Sequence, residues 1–288
     1  MPNTGRVNLF SPTTAAGTDG LDAIRTDPGG AVLGFDFDGT LAPIVDDPAA
    51  ARAHPRAAAA LARLAPRVGA LAIITGRPAA VAVEYGGLDG VDGLVVLGQY
   101  GLERWESGAL TTPEPPPGVA EARAKLPEVL KAAGAPDATY VEDKGQALAV
   151  HTRRCAEPQV ALDRLRGVLE ALAERTGLAV EPGRFVLELR PPGMDKGMAL
   201  RRFLDETRPA RPGGRPFPSA VLFAGDDLGD LAAYDAIDAL RAEGVPGVKV
   251  CSGSAEVTAL ADRADLVVDG PDGVVRFLDA LTDSLDAR

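Results

Sequence analysis

Most of the chain alternates between short apolar runs and segments with helical spacing. The runs carry hydrophobic residues at consecutive positions, which is typical of strands that a parallel sheet buries on both faces. This alternation predicts an α/β fold with a doubly wound, Rossmann-like parallel sheet. The predicted strands are 31–35, 70–74, 94–97, 220–224, 248–251 and 266–268. The helices predicted around them include 55–64, 195–206, 254–261 and 273–281.

The pattern changes between the third and the fourth of these strands. A Pro-rich segment at 111–118 suits neither a helix nor a central strand, and we place a domain junction there. Beyond it, the chain twice follows a helix with a pair of strands. This helix-hairpin repeat predicts an inserted α/β domain with a four-stranded, mainly antiparallel sheet. The predicted helices are 119–133 and 159–175, and the strand pairs are 139–143 with 147–152 and 178–181 with 184–190, the second turned at Pro182-Gly183.

These patterns divide the chain into a core domain and a domain inserted into it. The core is predicted over 21–111 and 191–288, and the inserted domain over 112–190. Residues 1–20 are rich in Thr, Gly, Pro and Asn without periodicity, so we expect a flexible N-terminal tail there.

Composition narrows the possible functions. The net charge of -11 at pH 7 argues against a nucleic-acid partner, because phosphate-backbone binding needs clustered Lys and Arg. The sequence shows neither a signal-peptide pattern nor an apolar run long enough to span a membrane, so we expect a cytoplasmic protein that does not bind membranes. Two cysteines and two histidines make a zinc site unexpected. A monomer is compatible with the sequence, which leaves the oligomeric state open.

The first predicted strand ends in two carboxylates, Asp36 and Asp38. A short Asp-x-Asp sequence alone is usually a solvated turn. A buried strand directly before it favours a functional pair, because buried ionised carboxylates need a cation or another partner. The cation that prefers such oxygen ligands is Mg²⁺. Asp36 could then attack a phosphorus atom to form an aspartyl phosphate, and Asp38 could protonate the leaving oxygen and later activate water.

Further candidate groups follow other predicted strands. Thr75 lies between a strand end and a helix start, where it could either cap the helix or hold a phosphoryl group. Lys196 lies in the first turn of a helix, where the helix dipole disfavours a cation, so a bound anion would account for it. A second acidic cluster follows strand 220–224 and adds oxygen ligands for Mg²⁺. Its members are Asp226, Asp227 and Asp230.

In chain order, these segments resemble the four motifs of the haloacid dehalogenase superfamily of phosphohydrolases. The segments are Asp36-Phe37-Asp38-Gly39-Thr40, Thr75, Lys196 and Gly225-Asp226-Asp227. The resemblance implies a phosphohydrolase core with an inserted cap domain that sets substrate specificity. It assigns Asp36 as nucleophile, Asp38 as general acid/base, and Thr75 and Lys196 to the phosphoryl group. The implied Mg²⁺ ligands are the carboxylates of Asp36 and Asp226 and the backbone carbonyl of Asp38, with Asp227 and Asp230 as further candidates.

Other segments are similar to the trehalose-6-phosphate phosphatase branch of this superfamily. They are Ile74-Thr75-Gly76-Arg77, Val141-Glu142-Asp143-Lys144-Gly145, His151 with Arg153, and Glu188-Leu189-Arg190-Pro191. The resemblance implies a Mg²⁺-dependent phosphatase that acts on trehalose 6-phosphate. The implied substrate-binding residues are Thr40, Gly76, Arg77, Gln99, Tyr100, Gly101, Glu142, Lys144, His151, Arg153, Glu188 and Arg190. The chain departs from the family where Gln99-Tyr100-Gly101 replaces the common Asn-His-Gly, and where Gly229-Asp230-Leu231 replaces the usual Thr-Asp-Glu.

Several alternatives stay open. Other sugar phosphates, namely sucrose 6-phosphate and glucosyl- or mannosyl-3-phosphoglycerate, are possible substrates. A non-catalytic phospho-acceptor domain also combines acidic strand ends with a Thr and a Lys, but it would need no domain between Thr75 and Lys196. A sugar-binding regulator with an inactive site ranks last, because the catalytic carboxylates are all present. For Glu188 and Arg190, the alternative is a solvated sheet face.

Overall fold

The computed structural model describes residues 10–45, 47–207, 217–253 and 258–287. The chain divides into two units. Unit 1 comprises Met1–Thr111 and Asp195–Arg288, and unit 2 comprises Thr112–Met194. The second junction therefore follows Met194, four residues later than the boundary after Arg190 that the sequence analysis chose.

The strands of the described residues are numbered in chain order. Those of unit 1 are β1 (Ala31–Phe35), β2 (Ala70–Ile74), β3 (Leu94–Gly98), β4 (Glu103–Glu106), β5 (Ala109–Thr111), β10 (Ala220–Gly225), β11 (Gly247–Gly253) and β12 (Leu266–Asp269). Those of unit 2 are β6 (Tyr140–Asp143), β7 (Leu148–His151), β8 (Ala179–Gly183) and β9 (Val186–Arg190).

The α-helices are numbered in the same way. Those of unit 1 are α1 (Ala15–Thr26), α2 (Ala57–Leu64), α3 (Ala79–Gly86), α6 (Lys196–Glu206), α7 (Leu231–Ala242), α8 (Thr258–Ala261) and α9 (Gly270–Asp286). Those of unit 2 are α4 (Pro117–Ala132) and α5 (Pro158–Thr176). Short 3₁₀ helices include Gln99–Gly101 and Leu228–Asp230.

Unit 1 is organised around a sheet with the strand order β12-β11-β10-β1-β2-β3-β4-β5. Neighbours from β12 to β3 pair in parallel, and β4 and β5 add an antiparallel hairpin at one edge. Alternate residues of β1 enter separate apolar clusters, Leu33 and Phe35 in one and Val32 in the other. The predicted doubly wound parallel sheet is confirmed. The sequence analysis missed the β4–β5 hairpin.

Helix α1 corrects the prediction of a tail over residues 1–20. Residues 15–20 form its first half, and the prediction for residues 1–9 lies outside the described part of the chain. Thr14 caps the helix by accepting a hydrogen bond from Gly17 N at 3.0 Å. A Cβ on Gly20 would lie 2.3 Å from the Gly247 carbonyl oxygen, so this glycine allows close packing against β11. The glycines made this segment look like a loop in the sequence.

Two other helices extend or limit the predictions. Helix α7 was not predicted from the sequence, although Tyr234 and Ile237, three positions apart, are both fully buried. Of the predicted helix 254–261, only Thr258–Ala261 is seen as α8, and residues 254–257 lie outside the described ranges.

Unit 2 contains a four-stranded antiparallel sheet with the order β6-β7-β9-β8. Helices α4 and α5 pack on one face of it, where Leu126 and Leu165 join Leu148 and Leu187 in an apolar cluster. The twice-repeated helix and hairpin that the sequence predicted is present.

The turn of the second hairpin differs from the prediction. Pro182 and Gly183 lie in β8 and pair with β9, and the chain reverses at 184–185, where Phe185 has a φ of 59°. Because β8 is an edge strand of this sheet, a proline that cannot donate a backbone hydrogen bond is tolerated there.

No helix among the described residues is both long and apolar enough to cross a membrane.

Candidate active site

The candidate catalytic groups of unit 1 meet at one edge of its sheet. Parallel pairing brings the ends of β1 and β10 side by side, because Phe35 lies opposite Ala224 in the register. Asp36 follows β1 directly and donates its backbone N–H to the Ala224 carbonyl at 2.8 Å. Thr75 follows β2, and Asp226 follows β10. This is the carboxyl-terminal edge, where doubly wound sheets place their ligand sites.

Lys196 joins two of the acidic groups. Its Nζ lies 2.7 Å from Asp36 Oδ1 and 2.7 Å from Asp230 Oδ1, and all three side chains are buried. Burial disfavours the ammonium, but the carboxylates of Asp230 and Asp36 outweigh it and raise the pKa of Lys196 well above its usual value. Lys196 therefore remains a cation. In this structure it binds the carboxylates of the site itself.

Asp36, Asp226 and Asp230 form a buried carboxylate trio. One oxygen from each lies within 4.8 Å of the others. Burial raises the pKa of Asp36 well above its usual range, and burial together with the Asp227 and Asp230 carboxylates raises the pKa of Asp226 to about 8. Crowded, buried carboxylate oxygens of this kind suit a hard divalent cation, whose positive charge would offset their mutual repulsion.

Asp230 and Asp227 differ in their surroundings, although the sequence analysis grouped both with the metal ligands. Asp230 Oδ2 accepts hydrogen bonds from the backbone N–H groups of Asp226 at 2.9 Å and Asp227 at 3.1 Å. Asp230 thus holds both Lys196 and the turn that carries Asp226. Asp227 is exposed and caps the following 3₁₀ helix by accepting from Gly229 N at 2.8 Å.

Asp38 contacts an arginine rather than the carboxylate trio. Arg77 Nε lies 2.7 Å from Asp38 Oδ2, and its Nη2 lies 2.6 Å from Oδ1. The guanidinium also lies 5.7 Å from the ring centre of Phe37 and 5.5 Å from that of Tyr85. Arg77 was predicted to bind substrate. In the structure its guanidinium is hydrogen-bonded to Asp38, the proposed general acid/base, and its role in substrate binding stays a prediction.

The remaining small groups of the site lie in tight turns. Thr75 Oγ1 accepts a hydrogen bond from Arg77 N at 3.1 Å. This bond lies in the turn before α3, whose N-cap residue is Pro78, so Thr75 does not cap that helix and its phosphoryl-binding role stays a prediction. No described residue hydrogen-bonds the hydroxyl of Thr40, which is fully buried. Gly39 has a φ of 73°, and a Cβ there would lie 1.9 Å from Asp226 Oδ2. Only glycine is therefore compatible with this turn.

Two polar residues beside the site were missed by the sequence analysis. Ser252, at the end of β11, donates its hydroxyl to the Gly39 carbonyl at 2.7 Å. Glu103, on β4, accepts hydrogen bonds from Ala79 N and from the Gln99 side chain. Neither residue lies in a motif, and a polar side chain in a short strand carries no local signal of such contacts. Gln99, Tyr100 and Gly101 form the turn between β3 and β4.

The candidate residues of unit 2 lie mostly on one face of its sheet. Strand register places Glu142, Ala149 and Glu188 in one row across β6, β7 and β9. The polar side chains on this face pair with one another, and Arg190 is buried. Arg153 is exposed in the turn after β7. His151 is hydrogen-bonded to Glu142 at 3.0 Å, and the ion pairs are Lys144 with Glu188 at 2.5 Å and Arg190 with Glu181 at 2.7 Å.

Comparison with known sequences decides the family. The family model described as "Trehalose-phosphatase" matches residues 34–268. The chain belongs to the trehalose-phosphatase family. Its curated relatives include the trehalose-phosphate phosphatases of Mycobacterium marinum, 35% identical over 260 residues, and of Mycobacterium tuberculosis, 33% identical over 260 residues. Each alignment covers 87% of this chain and 61% of the relative, so the chain spans about three-fifths of these proteins.

Solved structures of the trehalose-phosphatase family share the fold. A trehalose-6-phosphate phosphatase structure from Aspergillus fumigatus is 25% identical, with a TM-score of 0.64, and the match covers 95% of this chain and 99% of that one. The C-terminal domain of the Candida albicans trehalose-6-phosphate phosphatase is 22% identical, with a TM-score of 0.69, and the match covers 96% of this chain and 99% of that one. A haloacid dehalogenase-like hydrolase from Bacteroides thetaiotaomicron has a TM-score of 0.57 at 18% identity. The trehalose-phosphatase family thus uses this fold with its inserted α/β unit.

Proposed function

We propose that this chain hydrolyses trehalose 6-phosphate to trehalose and phosphate, with Mg²⁺ as cofactor and an aspartyl phosphate as intermediate. The observation that carries the proposal is the buried trio of Asp36, Asp226 and Asp230 with Lys196 at the sheet edge, in a chain of the trehalose-phosphatase family. The trio consists only of carboxylate oxygens, the donors that Mg²⁺ prefers. When bound there, Mg²⁺ would supply positive charge for the phosphoryl oxygens.

The proposed reaction has two steps. A carboxylate oxygen of Asp36 attacks phosphorus while Lys196 holds the other oxygen, and the sugar oxygen leaves with a proton from Asp38. Asp38 then takes a proton from water, whose oxygen attacks the phosphorus of the aspartyl phosphate and releases phosphate and free Asp36. Arg77 holds the carboxylate of Asp38 in a fixed orientation by two hydrogen bonds. The hydroxyl of Thr40 and that of Thr75 are the proposed donors to the phosphoryl oxygens.

Unit 2 is the proposed source of specificity for the sugar. The groups of unit 1 match a phosphoryl group and would treat phosphate monoesters alike. Unit 2 carries a face of paired charged side chains, including Lys144 with Glu188, which are 15% and 12% exposed. Charged hydrogen bonds to sugar hydroxyls contribute about 1.5–3 kcal/mol each, enough for roughly ten- to a hundredfold discrimination.

A different sugar phosphate is the second candidate substrate. One observation favours it. This chain has Gln99-Tyr100 in a turn where the family that it resembles commonly has Asn-His. The turn lies beside the Thr75 loop, since Tyr100 N donates to the Thr75 carbonyl at 3.0 Å. A change of side chain at this position could alter which ester is accepted.

A substrate screen tests the proposal. Phosphate release is measured with Mg²⁺ on trehalose 6-phosphate, sucrose 6-phosphate, glucose 6-phosphate and glucosyl or mannosyl phosphoglycerates. We expect the highest kcat/KM for trehalose 6-phosphate and no release in chelator. A higher value for another ester would reassign the substrate. Stable labelling of the protein without turnover would instead identify a phospho-acceptor domain.

A further inference from the structure

A buried carboxylate next to the site has no role in the proposed reaction. Glu103 lies at the start of β4 and is 7% exposed. Its Oε2 accepts a hydrogen bond from Ala79 N, the first residue of α3, at 2.7 Å. Its Oε1 accepts from Gln99 Nε2 at 2.9 Å. Glu103 therefore joins three segments of unit 1, which are β4, the start of α3 and the turn after β3.

The turn that Glu103 holds has an unusual backbone. Gln99 has a φ of 48° and Tyr100 a φ of 57°, both in the left-handed region that residues with a side chain rarely adopt. Such a conformation persists only where surrounding contacts enforce it. Two backbone hydrogen bonds contribute, from Gln99 N to the Arg77 carbonyl at 2.8 Å and from Tyr100 N to the Thr75 carbonyl at 3.0 Å. The Glu103 carboxylate adds a hydrogen bond to the Gln99 side-chain amide.

This strained turn contacts both elements that carry the proposed phosphoryl-binding groups. A Cβ on Gly76 would lie 2.7 Å from the Tyr100 hydroxyl, so the tyrosine packs directly on the loop that follows Thr75. A Cβ on Gly101 would lie 3.0 Å from the Cβ of Ala199, which belongs to α6, the helix that begins at Lys196. A shift of the turn would therefore move the Thr75 loop, α6, or both.

We propose that Glu103 is a positioning residue for phosphoryl binding, acting through Gln99 and the left-handed turn that separates the Thr75 loop from α6. This inference rests on the proposed function, because it concerns how the same site holds a phosphoryl group. The first N–H of α3 is bound by the Glu103 carboxylate and is therefore not available to a substrate anion.

Exchanging the two side chains tests the proposal. In Gln99→Glu alone, two carboxylates would face each other. In the double variant Gln99→Glu with Glu103→Gln, the new amide can accept from Ala79 N and donate to the new carboxylate, so both hydrogen bonds return. We expect Gln99→Glu to lower kcat/KM by at least about tenfold, the scale of one lost hydrogen bond to a charged group. The double variant should recover to within about threefold of the parent, a non-additive result.

The measurements separate positioning from general stability. Each variant is assayed on trehalose 6-phosphate and on a small aryl phosphate, and inorganic phosphate affinity, Mg²⁺ affinity and Tm are measured in parallel. We expect equal losses on both esters, a matching loss of phosphate affinity and unchanged Mg²⁺ affinity. Glu106→Gln is the matched control, since Glu106 lies on the same strand, half exposed and paired with Arg104, and should behave as the parent.

Contrary results are equally clear. Recovery of Tm without recovery of phosphate affinity in the double variant would show that Glu103 serves only the fold. The proposal would also be overturned if the double variant lost kcat/KM by the product of the two single-variant losses. A parent that cleaves the aryl phosphate but not trehalose 6-phosphate would overturn only the proposed substrate, and the exchange would then be judged on the aryl phosphate.

Discussion

At the scale of single residues, the site combines one buried cation with three buried carboxyl groups. Lys196 lies between Asp36 and Asp230, and the third carboxylate, Asp226, is left without a cation of its own among the described residues. Burial and the repulsion between neighbouring carboxylates raise the pKa values of all three carboxyl groups above their usual range. Two predictions follow from this balance.

The first concerns the nucleophile. Asp36→Asn keeps the shape of the side chain but removes the attacking oxygen, so we expect phosphate release below about one thousandth of the parent. Because the substitution also removes one of three crowded carboxylates, Tm in chelator should not fall. Steady-state phosphate release and thermal unfolding check both statements. Turnover within tenfold of the parent would contradict the assignment of Asp36 as nucleophile. The control is the isosteric Asp227→Asn, because Asp227 is exposed.

The second concerns pH and metal. The pKa of Asp226 is about 8 in the folded protein and 3.8 ordinarily, so between these pH values the folded state binds more protons than the unfolded state. The free energy of unfolding must then fall as pH rises through this window. In chelator we expect Tm to drop from about pH 5.5 to about pH 8.5, and Mg²⁺ to raise Tm more at the higher pH. An equal Mg²⁺ effect at both pH values would contradict this, and Asp226→Asn should flatten the fall.

At the scale of elements, α9 packs against the rest of unit 1 through an apolar face and a row of ion pairs. Its apolar face packs into the core through Val274, Phe277 and Leu278. Aspartates on the neighbouring face of α9 pair with arginines in and around α2. The pairs join Arg56 and Arg63 to Asp279, Arg63 to Asp283, and Arg67 to Asp286. The charges are exposed or partly exposed, so the buried leucine should matter more.

The matching prediction compares the two kinds of contact. Leu278→Ala should lower the free energy of unfolding by about 2–5 kcal/mol, because it leaves a cavity at a fully buried position. Asp279→Ala should cost much less, and the difference from the parent should shrink further in high salt. Urea unfolding at two salt concentrations measures both. A larger loss from Asp279→Ala would mean that the charges dominate α9 docking.

At the scale of the whole molecule, the proposed division of labour assigns chemistry to unit 1 and sugar selectivity to unit 2. Glu188→Ala and Lys144→Ala break the same ion pair in unit 2. Each should cut kcat/KM for trehalose 6-phosphate at least about tenfold while leaving a small aryl phosphate nearly untouched. Equal losses of kcat/KM on both substrates would mean that the ion pair supports the fold. No loss on either would mean that the pair lies on a solvated sheet face without a role in substrate selection. Glu121→Ala, which breaks the exposed ion pair of Glu121 with Lys125 on α4 of the same unit, is the control.

Much of this arrangement was readable from the sequence alone. Strands that are apolar at consecutive positions predict a parallel sheet, and a parallel sheet places its carboxyl ends at one edge. Asp36, Thr75 and Asp226 follow such strands, so their common location was predictable from local patterns. The helix-hairpin repeat of unit 2 was predictable for the same reason, because hydrophobic periodicity and turn residues act over a few positions.

The hydrogen bonds and ion pairs between polar side chains could be identified only from the tertiary structure. Arg77 and Asp38 are 39 residues apart, and Lys196 and Asp230 are 34 apart. Nothing local in the chain shows that Arg77 hydrogen-bonds Asp38, that Lys196 pairs with two carboxylates, or that Glu103 accepts a hydrogen bond from Gln99. Helix α1 was not predicted for a related reason, since Gly20, which reads locally as a loop residue, serves a close contact with β11. Periodicity determines which face of an element is buried, whereas the pairing of side chains depends on packing between elements that are distant in sequence.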